Sequence, residues 1–178
     1  MEQPSAAMLV IGDELLSGRT HDANMHYLAK ELTEIGINLT EARFIRDDPA
    51  AIVSSIVELS KRFDYLFTSG GIGPTHDDIT TDCVAEAFEK KASIRSDALK
   101  ILQEYYDGKD IELNEARLRM ARIPETAELI DNPISAAPGY VIENVYVMAG
   151  VPKIFQSMLK TVTPLSLIHI SEPTRLWT

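Results

Sequence analysis

The residue types able to do chemistry in this chain are carboxylates set beside glycines. The densest run is Thr68-Ser69-Gly70-Gly71-Ile72-Gly73-Pro74-Thr75-His76-Asp77-Asp78-Ile79-Thr80. Its glycines permit positive φ and let backbone N–H groups converge on an anion. A helix starting just beyond them adds its positive end. Two further acidic points, Gly12-Asp13-Glu14 (followed by Ser17-Gly18) and Asp47-Asp48, also end β-like runs. Asn132 to Ala137-Pro138-Gly139 and Ala149-Gly150-Val151-Pro152 bracket a later β-rich stretch. A phosphate cradle beside clustered carboxylates is what divalent-metal-assisted phosphoanhydride chemistry requires. The oxygens hold a hard cation, and the cation neutralises the phosphates.

Common alternatives lack their residues. The loop has neither the Gly-Lys-Ser/Thr of a Walker motif nor Gly-x-Gly-x-x-Gly, and Gly-x-Ser-x-Gly and His-Glu-x-x-His are absent. Each acidic residue also has a structural explanation. Asp48 reads as the N-cap before Pro49, which leaves Asp47 as the ligand-facing carboxylate. Asp78, four residues before Asp82, could serve only to charge a helix N-terminus. Asp13 and Glu14 could simply solvate a loop. His76 stands alone in its loop, and His21 and His26 have no partners at metal-binding spacing. Cys83, on the core side of a helix, reads as a buried, inert thiol.

These loops need a scaffold, and strand and helix patterns alternate to provide one. Residues 6–11 form an apolar run stopped by Gly12. Met25, Leu28, Ala29, Leu32 and Ile35 follow at helical spacing, with Gly36 as the terminating C′ residue. Residues 37–45 read as a second strand, then a helix with Ile52, Val53, Ile56 and Val57 as its core stripe. Residues 65–68 form a third, buried strand, followed by a helix over 81–88. Further helices are expected over 96–106 (capped), 114–121 and 152–162, with a hairpin over 140–148 turning at Glu143-Asn144. The β-α-β-α-β-α order predicts a mostly parallel sheet covered by helices on both faces, plus a C-terminal β-hairpin. In such sheets ligands bind outside the carboxyl ends of the strands, where the unusual loops fall.

The 178 residues carry Lys+Arg 17 against Asp+Glu 27, a net charge of -10, with hydrophobic residues at 45%. This excludes disordered and collagen-like classes and gives no basic face for nucleic acid or an anionic membrane. One cysteine excludes a disulfide framework, and neither a membrane span nor a basic leader is present, so a cytoplasmic protein is expected. Residues 165–175 resemble the translation of a transposon-type sequencing adapter. The expected organisation is therefore one domain over 1–164, with the natural chain continuing beyond it and 165–178 an artefact tail.

Gly12-Asp13-Glu14 with Ser17-Gly18, Asp22 and Asn24, and the whole of 68–80, resemble the molybdopterin-binding domain of molybdenum-cofactor biosynthesis proteins. The run Gly73-Pro74-Thr75-His76-Asp77-Asp78 is similar to that of the competence/damage-inducible protein A (CinA) branch. Ile123-Pro124, Asn132, Ala137-Pro138-Gly139 and Gly150-Val151-Pro152 agree as well. A departure is Ala149, where the branch has proline. The resemblance implies a three-layer α/β/α fold, homo-oligomers and a small phosphorylated nucleotide or pterin ligand. It matches Asp47 and Asp78 to the two aspartates that hold a divalent cation (Mg²⁺, Mn²⁺ or Co²⁺). It also implies that Thr68, Ser69, Thr75, Thr80 and Asn24 border the ligand.

Three functions use these parts. The first is a metal-dependent pyrophosphatase acting on ADP-ribose or related dinucleotides. The second is an adenylyltransferase acting on molybdopterin, in which a pterin phosphate replaces water as the attacking group. The third is a binding module without turnover.

Overall fold

The structure is a computed structural model and describes residues 2–162. Its main sheet has six strands: β1 (Ser5–Ile11), β2 (Asn38–Ile45), β3 (Tyr65–Ser69), β6 (Glu128–Ile130), β7 (Gly139–Ile142) and β8 (Val145–Met148). The order across the sheet is β2-β1-β3-β8-β7-β6, with β2, β1, β3 and β8 mutually parallel and β7 antiparallel to both neighbours. β4 (Ala92–Ile94) and β5 (Arg122–Pro124) form a separate antiparallel pair.

Strand alternation divides the core in two. Ala7, Leu9, Ile11, Leu66, Val145 and Val147 face helices α3 (Pro49–Arg62), α4 (Thr80–Ala87) and α5 (Ser96–Asp107). Their neighbours Ala6, Met8, Val10, Tyr65, Phe67 and Tyr146 face α2 (Asn24–Glu34) and α7 (Pro152–Val162). The result is the expected three-layer α/β/α sandwich. Each fully buried Leu, Ile or Phe contributes about 2 kcal/mol of transfer free energy. Phe67 and Tyr146, register partners on β3 and β8, stack with ring centres 5.0 Å apart.

Several local signals act as their residue types dictate. Gly36 has φ 83, and Gly36 N–H and Ile37 N–H donate to Thr33 O (3.2 Å) and Leu32 O (2.9 Å), a Schellman ending of α2. Asp48 caps α3 by accepting from Ala51 N–H at 3.4 Å, with Pro49 in the first turn. The buried stripe of α3 is Ile52, Ser55, Ile56 and Leu59, with Val53 and Val57 half-buried at its flanks.

The expected hairpin is present over residues 139–148, and it joins the main sheet because β8 pairs with β3. Some expectations are corrected. The helix expected over 96–106 has no side-chain cap, since Arg95 occupies the N-cap position. Residues 114–121 divide into α6 (Glu115–Leu118), capped by Asn114, and a 3₁₀ turn over Arg119–Ala121. Strands β4, β5 and β6 had no sequence signal, because three residues are too few to show a period. Residues 165–178, read as an artefact tail, lie outside the described residues.

Candidate functional site

The parallel strands end at one edge of the sheet, and the loops leaving them surround an open cleft of about 780 Å³. β7 runs the other way, so the loop entering it, from Asn132 to Pro138, reaches the same edge. Asp47 and Asp78, far apart in sequence, both line this cleft. So do Gly12, Asp13 and Glu14 after β1, the segment from Gly70 to Asp78 after β3, and Asn132 and Ala137 before β7.

Steric fit makes glycine obligatory at two of these positions. Gly70 has φ 98, and a Cβ there would run into the carbonyl oxygen of Ile11; Gly71 has φ 77, and its Cβ would occupy the place of Thr80 Oγ1. Thr80 in turn ties the loop to the start of α4. Its hydroxyl donates to Gly70 O at 3.0 Å, and its N–H donates to Gly71 O at 3.0 Å.

The carboxylates are held from different loops. Asp13 and Asp47 clasp each other: Asp13 N–H donates to Asp47 Oδ2 (3.2 Å), and Asp47 N–H donates to Asp13 Oδ1 (3.0 Å). That pair joins the carboxyl ends of the adjacent strands β1 and β2. Asp78 precedes α4 without capping it, since the N-cap is Ile79. Its Oδ2 instead accepts from both the N–H (2.9 Å) and the hydroxyl (2.8 Å) of Thr75. Asp77 points to solvent beside His76 at 3.5 Å, both side chains at least 80% exposed.

Titration reflects this crowding. Asp47 is pushed above the ordinary aspartate range, first by burial and then by the negative charges of Asp13, Glu14 and Asp78, against the opposing bond from Asp13 N–H. Asp13 is held below that range, foremost by the Asp47 N–H and further by Arg46 and Arg19. A cation beside Asp47 relieves the like-charge cost. Among the described residues no three His, Cys, Asp or Glu side chains form a metal cage. Mg²⁺ takes one or two carboxylates and completes its shell with water and substrate phosphate, so Asp47 and Asp78, which both line the cleft, are the residues that could hold it.

Other expected site residues lie behind the cleft rather than on it. Thr68, Ser69 and Thr80 are buried at the strand–loop junction, and Pro138 and Gly139 lead into β7 without lining the cleft. Ser17 and Gly18 turn the chain after the short helix α1 (Asp13–Leu16), and it is Arg19 and Thr20 beyond them that reach the cleft. Asn24 is buried and donates from Nδ2 to Gly150 O at 2.9 Å, which positions the loop before α7. Asn132 lines the cleft, but its hydrogen-bonding capacity is spent at home. Its Nδ2 donates to Ser135 Oγ (2.7 Å) and Ala137 O (2.9 Å), while its Oδ1 accepts from the N–H groups of Ile134 and Ser135 (both 3.1 Å). It therefore shapes the loop.

Residues without a site signal complete the surface: Arg19, Thr20 and Met120, with Ile154 in the first turn of α7. Extending the Ser17-Gly18 loop by two residues would have found Arg19 and Thr20. Nothing in the sequence could have found Met120, which arrives from the 3₁₀ turn before β5.

Comparison with known proteins gives the family and the fold. The family model described as "Probable molybdopterin binding domain" matches residues 7–167. The CinA protein of Thermoplasma acidophilum, described as of unknown function, is 31% identical and superposes with a TM-score of 0.82, over 90% of this chain and 97% of that one. The chain belongs to the CinA-like molybdopterin-binding family. A CinA-like protein from Kosmotoga olearia is 35% identical over 160 residues, 88% of this chain and 39% of that protein. This CinA-like chain spans 39 to 66% of the length of such curated relatives. The molybdopterin biosynthesis enzyme MoaB of Thermus thermophilus shares the fold, with a TM-score of 0.60 at 16% identity over 94% of each chain. No helix among the described residues is long and apolar enough to cross a membrane.

Proposed function

We propose that the cleft binds a small phosphorylated nucleotide and, with a divalent cation, hydrolyses its pyrophosphate, ADP-ribose and related dinucleotides being the substrate class. The observation that supports this reading is the meeting of Asp47 and Asp78, from the loops after two different strands, beside the Gly70–Gly73 loop. Asp47 and Asp78 are the residues that would hold Mg²⁺, Mn²⁺ or Co²⁺. Such an ion supplies charge neutralisation at the phosphates and a bound water of lowered pKa.

The chain's own residues do the rest. Backbone at Gly70, Gly71 and Gly73 lets the phosphates approach closely. Asp13 holds Asp47 in place through its backbone N–H. Thr75 holds Asp78 through two hydrogen bonds. Ile72, Ile79, Met120, Val151 and Ile154 offer apolar surface to a heterocyclic ring. Hydrolysis adds water across one P–O bond of the pyrophosphate, and ADP-ribose yields AMP and ribose 5-phosphate.

A second reading is adenylyl transfer to molybdopterin with the same parts. It draws on the fold shared with MoaB, a protein described as a molybdopterin biosynthesis enzyme. One assay separates the two. The full chain is incubated with Mg²⁺, Mn²⁺ or Co²⁺ and either ADP-ribose or ATP plus molybdopterin, and products are resolved by chromatography. AMP from ADP-ribose supports hydrolysis, adenylylated pterin supports transfer, and nucleotide binding without product under every metal leaves a binding module. Asp47→Ala and Asp78→Ala should each lower turnover by at least about 100-fold while the circular dichroism spectrum persists. Normal turnover in both variants would remove the metal assignment.

A further inference from the structure

A second, smaller pocket shares Gly71, Ile72, Gly73 and Asp78 with the cleft and adds Thr81, Asp82, Arg119 and Arg122. Its volume, about 20 Å³, has room for one water molecule. Three arginines therefore border the glycine loop and cleft: Arg19, Arg119 and Arg122. Two are accounted for. Arg122 pairs with Asp82, Nη2 to Oδ1 at 2.5 Å, and Arg19 is exposed, with Nε donating to Ser17 Oγ at 3.2 Å.

Arg119 is different. Its Nε is buried and has no hydrogen-bond partner, and no ion pair involves its guanidinium among the described residues. Arginine cannot discharge itself by losing a proton. A buried N–H left unpaired is costly, more so on a charged group. Yet Asp+Glu number 27 in this chain, so carboxylate partners are plentiful. The guanidinium stands instead beside a loop whose backbone suits an anion. It is carried on the 3₁₀ turn Arg119–Ala121, whose next residue, Met120, lines the main cleft.

We propose that Arg119 is an anion-binding residue of this site, its guanidinium taking a phosphate oxygen of a diphosphate ligand seated on Gly71–Gly73, directly or through one water. This rests on the nucleotide reading above and deepens it. Asp13, Glu14, Asp47 and Asp78 repel an incoming diphosphate, and a single divalent ion offsets only part of that field. A fixed guanidinium supplies a second positive point with fork geometry suited to phosphate, which an ammonium lacks.

Isothermal titration of the full chain with ADP-ribose carrying a non-hydrolysable methylene bridge in place of the pyrophosphate oxygen, with inorganic pyrophosphate and with adenosine, in the presence of Mn²⁺, tests this. Arg119→Gln should bind the ADP-ribose analogue and pyrophosphate about 10- to 100-fold more weakly while its affinities for adenosine and for Mn²⁺ alone stay at the wild-type values. Arg119→Lys keeps the charge without the fork and should bind pyrophosphate about 3- to 10-fold more weakly; this variant decides the matter if Arg119→Gln does not fold. Unchanged pyrophosphate affinity in the variants overturns the role of Arg119 and leaves the nucleotide reading intact. Equal losses for adenosine, Mn²⁺ and pyrophosphate overturn it too, because they mark a merely structural residue. A wild-type chain that binds neither the ADP-ribose analogue nor pyrophosphate overturns the nucleotide reading and this proposal together.

Discussion

Asp47 sits where four acidic side chains meet, and its titration has a consequence that can be measured without substrate. Its folded-state pKa is raised, first by burial and then by Asp13, Glu14 and Asp78. The folded chain therefore binds this proton more tightly than the unfolded chain does. The resulting stability is fully present below the unfolded pKa and is lost as pH rises through the folded one. Above that window, ionised Asp47 works against the fold. Asp47→Asn removes the charge yet keeps an oxygen to accept from Asp13 N–H. In metal-free buffer near pH 7 it should be at least as stable as wild type, the gain limited to a few tenths of a kcal/mol because the group is only half-buried and solvent screens its charge. The urea midpoints of both chains at about pH 3 and about pH 7 check this, and a variant that is weaker only at neutral pH would refute it. Mn²⁺ should then stabilise wild type and not Asp47→Asn. At this scale the sequence was informative about residue type and poor about role. Gly70, Gly71 and the acids were visible as a loop composition, but Asn132 and Asn24 looked like ligand contacts. Their partners in the fold, Ser135, Ala137 and Gly150, show that both side chains also hold loops.

The elements were legible wherever a period or a cap could be read. Met25, Leu28, Leu32 and Gly36 marked α2 and its end, and Asp48-Pro49 marked the start of α3, because a helix face and a helix terminus impose residue types locally. Strands β4, β5 and β6 were not legible, since each has three residues and is held by pairing with a partner rather than by its own pattern. The hairpin turn was visible in Glu143-Asn144, but its second task was not. Asn144 Nδ2 reaches across to Ser60 O (2.8 Å) and Phe63 O (3.0 Å), tying the turn between β7 and β8 to the carboxyl end of α3. Asn144→Ala leaves these carbonyls without that donor and should cost about 1–3 kcal/mol in urea unfolding, with the cleft and nucleotide affinity unaffected. A change within about 0.5 kcal/mol would show that water replaces the amide without loss.

For the molecule as a whole, the net charge of -10 sets how any phosphorylated ligand arrives. Without a divalent ion the field of the protein repels ADP-ribose, and screening weakens that repulsion. Affinity in EDTA should therefore rise as NaCl goes from about 20 to about 200 mM. With Mn²⁺ saturating, the dependence should flatten or reverse, because attraction at the site is then screened as well. Fluorescence-detected titrations at both salt levels measure this, and a fall in affinity with salt under EDTA would mean that the arginines dominate the acids. The acid excess, the alternation of strand and helix patterns and the glycine loop were all present in the chain as written, because charge, periodicity and turn chemistry depend on neighbours in sequence. Which of those acids converge was not, and neither was the arrival of Arg119 and Met120 behind and beside the loop. Those depend on the order β2-β1-β3-β8 and on one 3₁₀ turn packed against α5 and β4. Only long-range strand pairing and core burial select that order, and they bring Asp13, Asp47 and Asp78 around one cleft from three separate loops.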